Sequence, residues 1–120
     1  MERERFVKLV EEALDALPAR FRKRIRNLAV LVEDRPREQS ARKGRRNGAE
    51  DLVLGVYQGV PATEESVWGL PAGPNLIVLY QKNIEAVCSG DAEIRREIRQ
   101  TLLHELGHYF GMSEAELEDV

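Results

Sequence analysis

The sequence predicts an α+β fold, because three short apolar runs lie between two segments whose apolar side chains recur at helical spacing. Runs of five or six apolar residues have the length of typical β-strands. The chain has 120 residues, of which 42% are hydrophobic and 32% are charged. This composition is typical of a globular protein, and the length predicts a single domain spanning residues 1–120.

The first segment predicts an amphipathic helix over residues 3–17. Phe6, Val10 and Leu17 are among the apolar residues that recur at intervals of three and four, and Pro18 follows as a helix stop.

A basic stretch then leads into the first apolar run, residues 28–32, which has the sequence LAVLV. A continuous apolar run of this length predicts a strand that is covered on both faces. Residues 34–50 contain six basic side chains and two glycines without an apolar period, which predicts a surface loop.

The second and third strands are predicted at residues 52–57 and 76–80. Gly55, inside the second strand, indicates a bulge or a close approach of another backbone. The intervening residues 58–74 hold three prolines and three glycines and should be irregular. A short helical turn is expected at residues 83–87.

The last long helix is predicted from an N-cap at Asp91 to Phe110. Its second half is apolar on nearly every side, so it should be the central buried helix of the fold. Gly111 fits the C′ position that ends a helix in a left-handed conformation. Ser113 and Glu116 have the spacing of a capping box and predict that a further short helix begins there.

The motif that indicates chemistry lies on this helix. Both histidines of the chain occur in His104-Glu105-Leu106-Gly107-His108. Residues i and i+4 share one helix face, so the two imidazoles can bind one metal ion, and Glu105 can act as general base. The competing interpretation is a pair of packed or solvent-facing histidines without a metal.

A catalytic zinc site normally has three protein ligands and an open position for water. Only twelve residues follow His108, which leaves little room for a ligand on a distant helix. A turn at Gly111 would instead return the chain so that Glu114 becomes the third ligand. Glu114 has a simpler interpretation as an acid favoured by the helix dipole, and nearby acids compete for the same role: Glu116, Glu118 and Asp119.

Composition also bears on the possible partners and the cellular compartment of the protein. The net charge of −3 gives no reason to expect a nucleic-acid partner, and no apolar run approaches the length of a membrane span. The single cysteine, Cys88, excludes an internal disulfide and is consistent with a reducing compartment, and the N-terminus lacks the pattern of a signal peptide, so we expect a cytoplasmic protein. Cys88 is a soft metal ligand, a thiolate that blocks the zinc or, as the favoured interpretation, a buried inert thiol.

The extended motif from His104 to Glu114, the order of predicted elements and the segment Leu54–Gly59 resemble the mini-zincins, small prokaryotic zincin-like metallopeptidases with the pattern HExxHxxGxx[D/E]. The resemblance implies a small mixed β-sheet packed on the helix that carries HExxH, with zinc in a cleft beside an edge strand. It also implies that His104 and His108 are zinc ligands and that Glu105 is the catalytic base.

The first functional hypothesis is therefore zinc-dependent hydrolysis of a peptide or protein substrate, which would lie extended along an exposed strand, with residues 75–80 as the candidate. The alternative is a metal-stabilised binding or regulatory module without hydrolytic activity. Hydrolysis of a non-peptide amide or of RNA ranks last. Small metalloenzymes that act on nucleic acids generally carry a third histidine, and this chain has two. The sequence makes no prediction about the oligomeric state.

Overall fold

The computed structural model describes residues 1–37, 52–59 and 75–112, and the backbone of residues 45–47. The elements in chain order are α1 (Arg3–Asp15), α2 (Ala19–Arg22), β1 (Leu28–Glu33), β2 (Arg45–Asn47), β3 (Leu52–Gln58), β4 (Asn75–Tyr80), α3 (Gln81–Ala86) and α4 (Asp91–Tyr109).

The four strands form one mixed sheet in the order β1-β4-β3-β2. β1 and β4 are parallel, with Leu28 opposite Asn75, whereas β3 is antiparallel to both β4 and β2. The predicted α+β class and the small mixed sheet are confirmed. The parallel pair requires a long connection, and the chain makes β2 and β3 between β1 and β4.

The helix that carries the histidines is central, as the sequence predicts. α4 contacts α1, α3 and the three strands β2, β3 and β4. Its apolar stripe of Ile94, Ile98, Leu102 and Leu106 is buried. The spacing of four residues places these side chains on one face, which packs between α1 and the sheet.

Gly55 explains how closely α4 approaches β3. A Cβ atom built on Gly55 would lie 2.6 Å from Cγ2 of Thr101 on α4. The pairing of β3 with β2 also shifts register here, because Arg45 lies opposite Gly55 while Arg46 lies opposite Val53. The predicted close approach is therefore present, made by the Thr101 side chain and by the Val78 carbonyl at 3.1 Å, and a register shift lies beside it.

Several element predictions were wrong. β1 is not covered on both faces, because every second residue along it is exposed. Its residues alternate in exposure, and Leu31 is 47% exposed. The predicted loop 34–50 contains strand β2. This strand pairs through backbone groups and therefore needs no apolar side chains.

The start of α4 also differs from the prediction. Its N-cap is Gly90, and Asp91 is the first helical residue. The Asp91 carboxylate accepts a hydrogen bond from Arg5 at 2.8 Å, while Glu93 accepts one from the Ser89 N–H at 2.6 Å. Asp91 therefore joins α4 to α1 instead of capping the helix.

The strand proposed for substrate docking is also excluded. β4 lies between β1 and β3 and pairs with both, so its backbone is not available to an added strand. The predicted irregular segment 58–74, apart from its first two residues, and the predicted capping box at Ser113 and Glu116 lie outside the described residues. Among the described residues, no helix is long and apolar enough to cross a bilayer.

Candidate metal centre

Two imidazoles and one carboxylate converge on the C-terminal half of α4. The ring centroids of His104 and His108 are 5.1 Å apart, and the rings are inclined at 78°. One donor atom from each of His104, Glu105 and His108 lies within 4.8 Å of the others. Both histidines are half-buried, whereas the Glu105 side chain is buried. The helix thus brings together the three residues that the motif predicted.

Strand β3 holds the Glu105 carboxylate in place. The backbone N–H of Tyr57 donates a hydrogen bond to Oε1 of Glu105 at 2.9 Å. This contact requires α4 to lie close to β3, which the missing side chain of Gly55 permits two residues earlier. The hydrogen bond from β3 therefore fixes the position of the Glu105 carboxylate.

The same tyrosine connects the site to the ends of two other strands. The Tyr57 hydroxyl donates to Oδ1 of Asn75 at 2.6 Å, and the Asn75 N–H donates to the carbonyl of Asn27 at 3.0 Å. Asn75 is fully buried, and Asn27 has a φ of 54°. Asparagine tolerates this left-handed conformation better than most residues. The network fixes the segment from which β1 starts relative to β3.

A second tyrosine anchors the last turn of α4. The Tyr109 hydroxyl donates to the Arg26 carbonyl at 2.8 Å and accepts from the Arg26 N–H at 3.0 Å. Its ring meets that of Tyr57 edge to face, with centroids 6.1 Å apart. The sequence alone left tyrosine hydroxyls as possible donors to a reaction intermediate. In the structure, the hydroxyls of Tyr57 and Tyr109 bond within the protein.

Helix α4 ends as predicted. Gly111 has a φ of 77°, its N–H donates to the His108 carbonyl at 2.9 Å, and the Met112 N–H donates to the Gly107 carbonyl at 2.8 Å. These two bonds form a Schellman motif, which reverses the chain one turn beyond the histidines. Glu114, the predicted third ligand, lies outside the described residues, so its role stays a prediction.

Cys88 does not belong to the metal cluster. It precedes α4, and the helix rises by roughly 20 Å between Asp91 and His104. Burial raises the pKa of the Cys88 thiol to about 11, with further contributions from Glu97 and Glu93 that Arg96 partly opposes. At neutral pH the thiol is protonated and therefore a poor metal ligand.

The donor set fits zinc. Imidazole nitrogens and a carboxylate oxygen are common zinc ligands, and four-residue spacing on a helix lets two imidazoles share one ion. Sequence reasoning missed the groups that hold this set: the Tyr57 N–H, Asn75 and the backbone of Arg26. Gly55 was the one available signal, since it indicated that another element would approach β3 closely.

Comparison with known proteins agrees with the geometry. Residues 25–120 match the sequence profile of a family described as zincin-like metallopeptidase. A solved structure described as a conserved hypothetical protein from Thermo thermophilus is similar, with a TM-score of 0.58 and 26% identity over 92% of this chain and 94% of that chain. A comparison with curated proteins returned no match. The chain belongs to the zincin-like metallopeptidase family.

Proposed function

We propose that this protein is a zinc-dependent peptidase that hydrolyses peptide bonds in a peptide or protein substrate. The observation that carries the proposal is the convergence of the His104, Glu105 and His108 donor atoms within 4.8 Å on one buried helix. Family membership supports metallopeptidase chemistry at a general level. We further propose that the protein acts in the cytoplasm and binds neither nucleic acid nor membrane.

In this mechanism His104 and His108 hold the metal ion. Bound zinc would supply a Lewis acid and lower the pKa of a coordinated water toward about 7. Glu105 would accept the proton as the water attacks the scissile carbonyl, and would then deliver it to the leaving amine. The hydrogen bond from the Tyr57 N–H to Oε1 keeps the carboxylate in one orientation during both transfers.

Glu114 is the third ligand in this proposal. The Schellman motif supports it, because the turn at Gly111 begins three residues after His108 and Glu114 follows three residues later. Replacing Glu114 by alanine should weaken zinc binding at least about tenfold, since one of three protein ligands is lost. Glu116→Ala is the matched control and should leave the affinity unchanged. Equal effects of the two variants would remove Glu114 from the ligand set.

One observation favours the alternative of a metal-stabilised binding module without hydrolysis. The Glu105 residue is only 1% exposed, whereas a general base must reach the attacking water. In this alternative Glu105 is itself a metal ligand, and the cluster stabilises the end of α4 without turnover.

One experiment separates the two functions. The purified protein is loaded with zinc, dialysed, and its metal content measured per chain, and cleavage of a quenched fluorescent peptide library is then followed. For the peptidase we expect about one zinc per chain in the wild type and in Glu105→Gln, with hydrolysis only in the wild type. Zinc retention without hydrolysis by the wild type would favour the binding module. Cleavage by Glu105→Gln at the wild-type rate would refute the proposed base.

A further inference from the structure

A second concave surface lies on the other flank of α4, away from the histidines. It is a cavity of about 430 Å³ between α1, α2 and α4, lined by eight residues that include Ala13, Leu17, Arg20, Phe21, Arg99 and Leu103. At 3.6 residues per turn, the mean direction of Arg99 and Leu103 lies about 140° around the helix from that of His104 and His108. We call it the Arg20–Arg99 cavity, and it is distinct from the metal centre.

The walls of the Arg20–Arg99 cavity are apolar, while its two charged side chains are both arginines. Arg20 and Arg99 are exposed, and neither forms an ion pair with a carboxylate of the described residues. Glu12 of α1 instead lies 3.9 Å from Arg95, one turn before Arg99 on α4. The cavity therefore combines an apolar floor with guanidinium groups suited to binding a carboxylate.

The surrounding surface strengthens this positive charge. α2 and the residues after it contribute exposed cations beside the cavity: Arg22, Lys23 and Arg24. The protein as a whole has a net charge of −3, so this patch has the opposite sign of charge to the rest of the molecule. Such a patch attracts anionic ligands at long range and concentrates them near the cavity.

The aromatic rings here do not favour a nucleic acid. Phe21 and Phe110 are stacked with centroids 5.8 Å apart, the Arg20 guanidinium lies 4.8 Å from the Phe21 ring, and that of Arg24 lies 5.2 Å from the Phe110 ring. Each ring already has two stacking partners, whereas single-stranded nucleic acid requires rings on which bases can stack. A carboxylate requires only the guanidinium edges.

We propose that the Arg20–Arg99 cavity binds an acidic peptide segment in which a large apolar side chain is flanked by carboxylates. The apolar side chain packs against Leu17, Phe21 and Leu103, and the carboxylates pair with Arg20 and Arg99. A volume of about 430 Å³ lies within the range of cavities that bind small ligands. Binding requires no zinc and does not depend on hydrolysis.

The test is fluorescence anisotropy with fluorescein-labelled Gly-Glu-Leu-Glu-Gly, carried out with zinc and with a chelator. The control peptides are Gly-Lys-Leu-Lys-Gly, which reverses the charge, and Gly-Glu-Gly-Glu-Gly, which lacks the apolar side chain. We expect both to bind at least about tenfold more weakly. Equal binding of the lysine peptide would overturn the proposal, as would preferential binding of an oligothymidylate.

Matched variants locate the site. Arg20→Glu with Arg99→Glu should lower the affinity at least about tenfold, whereas Lys8→Glu with Arg96→Glu makes the same charge change outside the cavity and the surrounding patch and should alter it less than about threefold. Ala16→Trp should block binding by filling the cavity without a charge change. Thermal unfolding verifies that each variant is folded, and equal losses in the two charge-reversal pairs would refute a local site.

The competing occupant, which the next variant tests, is the acidic segment 113–120 of this chain. In that case Glu116→Lys with Glu118→Lys would release the cavity and tighten binding of the labelled peptide. Such a gain would overturn the proposed external ligand. Unchanged affinity in this variant is the result expected from our proposal.

Discussion

Replacing Gly55 by alanine tests whether the approach of α4 to β3 positions the catalytic carboxylate. The added Cβ would lie 2.6 Å from Cγ2 of Thr101 and 3.1 Å from both Cδ2 of Leu79 and the Val78 carbonyl oxygen. Ordinary van der Waals contact begins at 3.4 Å, so α4 must move by about 0.8 Å or Thr101 must repack. Overpacking of this kind costs about 2 kcal/mol.

The same displacement reaches the metal centre. Thr101 and Glu105 are four residues apart on α4, and Oε1 of Glu105 lies 2.9 Å from the Tyr57 nitrogen. Moving α4 outward by about 0.8 Å would lengthen this distance to about 3.7 Å, which is too long for a hydrogen bond. We therefore expect Gly55→Ala to lower the peptidase rate as well as the stability.

The assay is urea unfolding followed by circular dichroism, combined with a double-mutant cycle. Thr101→Ser removes the clashing methyl group and keeps the hydroxyl that donates to Glu97 at 3.3 Å. Alone it should cost about 1 kcal/mol, as expected for one buried methyl group. Together with Gly55→Ala, the loss should be at least about 1 kcal/mol smaller than the sum of the two single losses.

Gly90→Ala is the matched control, because a Cβ at Gly90 meets nothing within 4 Å. It separates the general effect of replacing a glycine from the steric effect at Gly55. If Gly55→Ala is as stable as the wild type, or if its effect is strictly additive with that of Thr101→Ser, the proposed contact does not control the distance between α4 and β3.

Three further predictions concern residues outside the metal cluster. Tyr109→Phe should lose about 1–2 kcal/mol in urea unfolding, because both of its hydrogen bonds to Arg26 disappear; an unchanged midpoint would contradict this role. Gly111→Ala should lose about 1 kcal/mol, since its φ of 77° strains any residue with a Cβ, and Gly111→Asn should lose less. Iodoacetamide should modify Cys88 slowly at pH 8, where raising its pKa from 9.0 to about 11 reduces the thiolate roughly a hundredfold, and the rate should rise toward pH 11; rapid reaction at pH 8 would contradict the raised pKa.

The sequence predicts the local features of this protein better than it predicts which β-strands pair with each other. The positions of α4 and Gly111 follow from helical periodicity and from the conformational freedom of glycine, which are properties of neighbouring residues. The parallel pairing of β1 with β4 joins Leu28 to Asn75, and no local pattern specifies such a contact. This is also why β4 was mistaken for an exposed strand.

The candidate site likewise contains residues that the sequence identifies and groups that only the fold reveals. Its histidines and Glu105 are identified by spacing alone, because the chemistry requires those side chains on one helix face. The Tyr57 N–H leaves no trace in the sequence, since any residue except proline could supply it. Asn75 is buried and Asn27 is exposed, yet both have ordinary polar side chains, and only the fold shows that they support the strand beside Glu105.

Zinc should stabilise the folded protein without changing its secondary structure. The donor atoms of His104, Glu105 and His108 already lie within 4.8 Å of one another, so little reorganisation is needed to bind the ion. A ligand at a hundred times its Kd adds about 2.7 kcal/mol, provided that the unfolded chain does not bind it. For 120 residues this corresponds to a rise in Tm of roughly 10 °C.

His108→Ala should abolish this rise, because one imidazole cannot hold the ion as two do, whereas the outcome for Glu105→Gln distinguishes its two possible roles. A general base contacts the reacting water and not the metal, so the variant should keep the full shift in Tm. If Glu105 is a metal ligand, Glu105→Gln should lose most of the shift in Tm, because an amide oxygen binds zinc more weakly than a carboxylate does. The thermal shift thus assigns Glu105 even if no cleavable substrate is found, which a rate measurement cannot do.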